Sequence, residues 1–208
     1  MAAERPDMPP FGEADLSADP IELFGRWYEL ASERVPLADA ACLASVDADG
    51  APDARMVLLK GFGADGFRFF TNERSAKARQ LAVRPDAALV LFWRELDRQV
   101  RIRGRVEQLE EAASDAYFAT RAPESRIGAW ASPQSSPLAD RAELDRLVAA
   151  AEERFAGSGE VPRPPHWGGY RVIPAEIEFW QGQVGRLHDR FRYLREDGME
   201  WRVERLAP

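Results

Sequence analysis

Two Asp-Gly pairs, Asp49-Gly50 and Asp65-Gly66, each fall between short apolar runs, and they constrain the fold more than any other feature of the chain. Asp-Gly is a strong short-range hairpin signal, because a type I′ turn needs positive φ at both central residues. The runs around them, Ala41 to Val46, Ala54 to Lys60 and Phe67 to Thr71, predict three strands within about thirty residues. Strands joined so closely must be antiparallel, since a parallel pair needs a crossover of roughly a dozen residues. A third pair, Asp197-Gly198, predicts a last hairpin between Arg190 to Arg195 and Trp201 to Leu206.

Further strands are predicted at Ala87 to Trp93, Arg98 to Leu109, Tyr170 to Ile173 and Ile177 to Trp180. In Arg98 to Leu109, Val100, Ile102 and Val106 share one face, whereas Gln99, Arg101, Arg103, Arg105 and Glu107 share the other. That alternation belongs to a half-buried antiparallel wall. Asp19-Pro20 caps a helix whose apolar face is Ile21, Leu23, Phe24, Trp27 and Leu30. More helices are expected at Ser75 to Val83, Glu110 to Thr120, Ser125 to Ala131 and Leu138 to Phe155. In the last, Leu144, Leu147, Val148, Ala151 and Phe155 form a docking stripe. The expected fold class is mostly β (α+β), an antiparallel barrel or curled sheet with surrounding helices. Residues 1–18, rich in Pro, Ala and acidic groups, read as a mobile arm before a single domain over 19–208.

Composition removes several function classes. A formal charge of −7 disfavours a nucleic-acid partner, so any anion site must be a local basic pocket. One cysteine, Cys42, supports neither a disulfide framework nor a cysteine zinc site, and fits a reducing, cytoplasmic setting. No apolar run approaches the ~20 residues of a membrane span, and the N-terminus lacks the order of a signal peptide. His166 and His188 stand 22 residues apart with no HExxH, so no metal site is expected. Gly61-Phe62-Gly63 lacks the third glycine and the helix of a dinucleotide fingerprint, and no serine sits in a nucleophile elbow.

What remains is a set of anion-binding side chains: Arg55, Lys60, Lys77, Arg121, Arg186 and Arg190, enough for two phosphates. Five strand steps, about 16 Å, separate Arg55 from Lys60 and point them to opposite faces. Arg186-Leu187-His188-Asp189-Arg190 holds two guanidiniums, an imidazole and a carboxylate in five residues. An extended strand would point Arg186, His188 and Arg190 the same way. Taken alone, the pentapeptide reads equally as an anion site or as a salt-bridged strand end.

Arg55-Met56-Val57-Leu58-Leu59-Lys60, Phe70-Thr71-Asn72, Ser75-Ala76-Lys77, Arg98-Gln99-Val100, Ile127-Gly128-Ala129-Trp130, Gln134-Ser135-Ser136, Phe179-Trp180-Gln181-Gly182 and the pentapeptide, followed by Arg205-Leu206-Ala207-Pro208, together resemble the pyridoxine/pyridoxamine 5′-phosphate oxidases over nearly all of 19–208. The resemblance implies a Greek-key antiparallel split β-barrel that forms a homodimer, with FMN in each of two clefts between subunits. It implies an FMN site made by Arg55, Met56, Val57, Leu58, Leu59, Lys60, Phe70, Thr71, Lys77, Gln99, Gln134, Ser135, Trp180 and Arg190. Lys60, Tyr117, Arg121 and Ser125 would bind the substrate phosphate, and Arg186 and His188 would cover its pyridine ring as the catalytic pair. The implied reaction oxidises the C4′ amine or alcohol of pyridoxamine or pyridoxine 5′-phosphate to the aldehyde, with hydride passing to the flavin and dioxygen leaving as hydrogen peroxide. Arg186 would position C4′ and stabilise charge, being a weak proton acceptor; His188 would either shuttle a proton or orient the ring. Ala76 stands where many relatives carry Arg, which leaves Arg55 and Lys77 for the FMN phosphate, and Phe70 replaces a commoner Tyr. The same barrel also serves flavin reductases, deazaflavin-dependent oxidoreductases and non-catalytic FMN or pyridoxal phosphate binders. Tyr117, Arg121, Ser125 and the pentapeptide together favour the oxidase.

Overall fold

The computed structural model describes residues 9–195 and 200–208, so Asp197-Gly198, expected to turn the last hairpin, lies outside the described residues. Among those residues nine strands form one sheet: β1 (Ala40–Val46), β2 (Pro52–Leu58), β3 (Gly61–Gly63), β4 (Gly66–Asn72), β5 (Asp86–Trp93), β6 (Arg98–Gln108), β7 (Trp167–Gln181), β8 (Asp189–Leu194) and β9 (Arg202–Arg205). Every pairing is antiparallel, as the short turns require. The order is β2-β1-β5-β6-β7-β4-β3, with β8 beside β7 and β9 beside β8. Five helices accompany the sheet: α1 (Pro20–Arg34), α2 (Ala76–Val83), α3 (Glu111–Ala119), α4 (Pro123–Ala131) and α5 (Arg141–Phe155).

The core forms where alternate strand residues meet α1. Leu43, Leu89, Leu91, Val100, Ile102, Ile177 and Phe179 point inward and are almost wholly buried, as are Leu23, Phe24 and Ala31 of α1. Asp19 caps that helix by accepting a hydrogen bond from the Ile21 N–H, and Trp27 sets its edge on Phe179. Each such side chain contributes roughly 1.5–3 kcal/mol on burial, enough to fix the inward register of every strand.

Several expectations need correction. The three-strand meander is not continuous: β4 pairs with β3 and β7, not with β2. After β2 the chain bends at buried Leu59, and the Lys60 N–H donates to the Arg68 carbonyl, so pairing restarts as a small β3–β4 hairpin. The two strands expected at Tyr170 to Ile173 and Ile177 to Trp180 are one strand, β7. Pro174 lies within it, and the structure absorbs the proline in a register shift opposite Arg103 and Gly104. Gly104 is required there, since a Cβ would collide with the Ile173 carbonyl. The stripe on α5 docks only partly: Ala151 is buried, but Leu147 is exposed.

Residues 9–18, expected to belong to a mobile arm, pack against the sheet. Phe11 is 3% exposed, wedged between Trp27 and Phe191, and Tyr193 donates its hydroxyl hydrogen bond to the Ser17 carbonyl. The apolar ring outweighs the polar composition around it, because one buried aromatic offsets much of the ordering cost of a short segment.

Candidate active site

A cavity of about 550 Å³ opens where the β2–β3 connection, β4, α3 and α4 converge. Leu58, Lys60, Phe70, Thr71, Tyr117, Arg121, Ser125 and Gln134 line it, so the structure brings together eight residues chosen from four separate stretches of sequence. Phe70 and Tyr117 stack 4.1 Å apart, and Trp167 lies parallel to Phe70 at 5.4 Å. This three-ring wall comes from β4, α3 and the start of β7.

Two cationic positions belong to this region. At one, the Arg121 guanidinium lies 4.8 Å over Trp167, and its buried Nη1 has no hydrogen-bond partner among the described residues. The first turn of α4 carries Ser125 beside it, and an N-terminus with free N–H groups favours an anion. Lys60 also reaches this cavity but is held by Asp39 at 2.7 Å. At the other, outside the cavity lining but bonded to two of its residues, stands Lys77 of α2, 8% exposed, with Nζ 3.2 Å from both Thr71 Oγ1 and Gln134 Oε1 and 3.5 Å from Ser75 Oγ. All three partners are neutral. Burial, and next the charge of Arg55, push the Lys77 ammonium below the ordinary lysine range. Arg55 is itself fixed by Asp53, Gln80, Ser45 and the Leu43 carbonyl. A buried ammonium hydrogen-bonded only by neutral groups is costly, and Asp53, paired with Arg55, is the nearby carboxylate whose charge favours it.

A second group of expected residues does not line the cavity. Gln99, Trp180 and Arg190 are cross-strand neighbours on β6, β7 and β8, and His188 packs its ring 4.6 Å from Trp180. The expected strand through Arg186, His188 and Arg190 is not formed; β8 begins only at Asp189. Val184–Arg186 make a short 3₁₀ turn, in which Gly185 and Arg186 have φ of 72° and 64°. Alternation therefore does not align the three side chains. Arg190 is gripped by Glu178, its Nε at 2.9 Å and Nη2 at 2.8 Å, while Nη1 donates to the Ala207 carbonyl. The pentapeptide thus divides: its last arginine is salt-bridged, and its first lies on a projecting loop.

Of the remaining expected residues, Met56 is exposed, Val57 half-buried and Leu59 buried, so Leu59 offers a ligand only its backbone. Ser135 adopts a positive φ of 70° beside Gln134. Sequence reasoning missed Trp167, Asp39 and Glu178. Glu178 was the most legible of these: a carboxylate inside the run Ile177-Glu178-Phe179-Trp180 is tolerated only when paired, and here Arg101 and Arg190 both pair with it. Asp39 and Trp167 come from loop ends and carry no local signal.

Comparison with known proteins decides the lineage. A family model described as pyridoxamine 5′-phosphate oxidase matches residues 29–181, and one described as the pyridoxine 5′-phosphate oxidase C-terminal dimerisation region matches 167–208. The chain belongs to the pyridoxine/pyridoxamine 5′-phosphate oxidase family. It is 54% identical over 200 residues to the pyridoxine/pyridoxamine 5′-phosphate oxidase of Pseudomonas paraeruginosa, covering 94% of this chain and 92% of that one. The Caulobacter vibrioides protein of the same name is 53% identical over 191 residues, covering 91% and 85%. Among solved structures, PhzG of Burkholderia lata in complex with tetrahydrophenazine-1-carboxylic acid superposes with a TM-score of 0.89 at 35% identity, covering 97% of this chain and 98% of PhzG. An FMN-binding protein of Nostoc punctiforme related to pyridoxamine 5′-phosphate oxidase shares the fold at 20% identity and a TM-score of 0.74, covering 93% and 100%. The antiparallel sheet is therefore the split barrel of this family.

Proposed function

We propose that the protein oxidises pyridoxamine 5′-phosphate and pyridoxine 5′-phosphate to pyridoxal 5′-phosphate, with FMN as cofactor and dioxygen as electron acceptor, releasing hydrogen peroxide. The observation that carries this reading is a pair of under-neutralised cations at one aromatic-walled cavity: half-buried Arg121 in its lining, and buried Lys77 hydrogen-bonded to the lining residues Thr71 and Gln134. Two phosphates fit such a site better than one. Lys77 with Arg55 would hold the FMN phosphate, with Thr71 and Gln134 beside it; Arg121, Tyr117, Ser125 and Lys60 would hold the substrate phosphate. FMN, when bound, supplies the hydride acceptor. The chain's own work is to hold the substrate by its phosphate, stack its ring against apolar walls and keep water out.

A homodimer belongs to the same reading. Leu58, Met56 and Phe92 are exposed on the outer face of β2-β1-β5, where Leu58 lies opposite Ala40 and Met56 and Val90 flank Cys42, an apolar face that nothing among the described residues covers. The match to a dimerisation region over 167–208 points the same way. Gln99, Trp180, Arg186, His188 and Arg190 would then complete the cleft of the neighbouring subunit, with Arg186 and His188 over the reacting carbon.

The likeness to PhzG favours a second reading, oxidation of a reduced polycyclic aromatic acid of the kind bound in that structure. One experiment separates them. Purified protein should be yellow, should bleach when pyridoxamine 5′-phosphate is added without oxygen, and should form aldehyde and peroxide in air. A flavin that stays oxidised with both vitamers, yet bleaches with the tricyclic acid, would replace the first reading by the second.

A further inference from the structure

Within one chain, the loop carrying Arg186 and His188 is not held by burial. Val184 is 87% and Leu187 72% exposed, and the backbone passes through two successive left-handed residues, one of them Arg186. Such a conformation persists in a non-glycine residue only when its surroundings over-determine it. Here the polar surroundings converge on one carboxylate, Asp189. Its Oδ2 accepts from Gln183 Nε2 at 2.8 Å and from the Phe11 N–H at 3.3 Å, and its Oδ1 accepts from Arg205 Nη1 at 2.9 Å. Gln183 in turn donates its backbone N–H to His188 Nδ1 at 3.1 Å, which closes the loop.

Arg205 links this hub to the N-terminal segment. Its Nε and Nη2 grip the two Glu13 carboxylate oxygens at 2.8 and 3.0 Å, and its guanidinium lies 4.3 Å over Phe191, the ring that also packs on Phe11. Gln181 Nε2, at the other root of the loop, donates to the Pro9 carbonyl. Three segments distant in sequence, residues 9–13, 181–189 and Arg205, therefore meet at the base of one exposed loop.

We propose that Asp189 is a positioning residue for Arg186 and His188, and that Glu13, Arg205 and the Phe11 backbone form the clasp that fixes it. Residues 9–13 then act on the reaction without touching the substrate. This rests on the oxidase reading for its kinetic consequence, but not for its structural one.

The test uses the purified full-length holoprotein and the variants Asp189→Asn, Asp189→Glu and Glu13→Gln. Hydrogen exchange at the amides of 183–188, followed by mass spectrometry, should speed up severalfold in Asp189→Asn and less in Glu13→Gln. Turnover of pyridoxamine 5′-phosphate in Asp189→Asn should fall about tenfold, within the ~100-fold that a 1 Å misplacement costs, with FMN affinity unchanged and partial recovery in Asp189→Glu. In an Arg186→Ala background, Asp189→Asn should add little, because it acts through the residue already removed. Unchanged exchange, or fully additive loss, would overturn the proposal. Glu13 is exposed, so its variant folds even if Asp189→Asn does not, and unchanged exchange at 183–188 in Glu13→Gln would remove the N-terminal segment from the clasp. If wild-type protein oxidises neither vitamer, the oxidase reading fails while the exchange data still decide the clasp.

Discussion

Replacing Lys77 by methionine separates a charge kept for a ligand from one kept for the fold. Methionine nearly conserves side-chain volume, so the change removes the ammonium and its three neutral partners while leaving little cavity. Thr71 Oγ1 still donates to Gln134 Oε1 at 3.0 Å, so neither group is orphaned. A charge-assisted hydrogen bond to a phosphate contributes roughly 1.5–3 kcal/mol, equivalent to a 10- to 150-fold rise in the FMN Kd. The apoprotein should be no less stable, since the variant no longer buries an ammonium beside Arg55. The assay is a titration of apoprotein by flavin fluorescence beside thermal melts without FMN. The pH dependence has a definite sign. Because the folded-state pKa of Lys77 lies below the ordinary lysine value, the ammonium is lost as pH rises through that lowered value, so wild-type FMN affinity should fall there and the variant's should not. An unchanged Kd, or a melting temperature that drops together with FMN affinity, would refute the assignment of Lys77 to the phosphate.

Arg121→Ala should raise KM for pyridoxamine 5′-phosphate by at least tenfold, given about 1.5–3 kcal/mol for its phosphate contact, while the FMN Kd stays constant; steady-state kinetics and the same fluorescence titration check both. Arg186→Ala should cut kcat far more than FMN binding, and equal losses would place Arg186 at the cofactor. Phe11→Ala should destabilise the fold by about 3–5 kcal/mol, as for other buried aromatics, which chemical denaturation measures directly. Glu13, hydrogen-bonded by Arg205, has its carboxyl pKa lowered from 4.5 to about 2, so its contribution to stability is present above pH 4.5 and is lost as pH falls towards 2. Melting curves of wild type and Glu13→Gln should therefore converge over that interval, and should converge at neutral pH in high salt.

The amino-acid sequence by itself determined that the chain forms antiparallel strands with a capped first helix, because turn chemistry, alternation and capping are local. It also put Arg121 and Lys77 among the candidate anion binders, beside Arg55, Lys60, Arg186 and Arg190. It did not show what neutralises each of them. Lys60, Arg55 and Arg190 look alike in sequence, yet Asp39, Asp53 and Glu178 hold them, whereas Arg121 Nη1 has no partner among the described residues and Lys77 is hydrogen-bonded only by neutral groups. That distinction is tertiary, because a partner across the sheet leaves no periodic trace. The same holds at the pentapeptide, where alternation promised three aligned side chains. A left-handed turn at Gly185 and Arg186, held through Asp189 by groups from both ends of the chain, put Arg186 and His188 on a loop instead and left only Arg190 on β8. Local rules fix the direction of a side chain only while the backbone stays regular, and at this site long-range contacts hold it irregular.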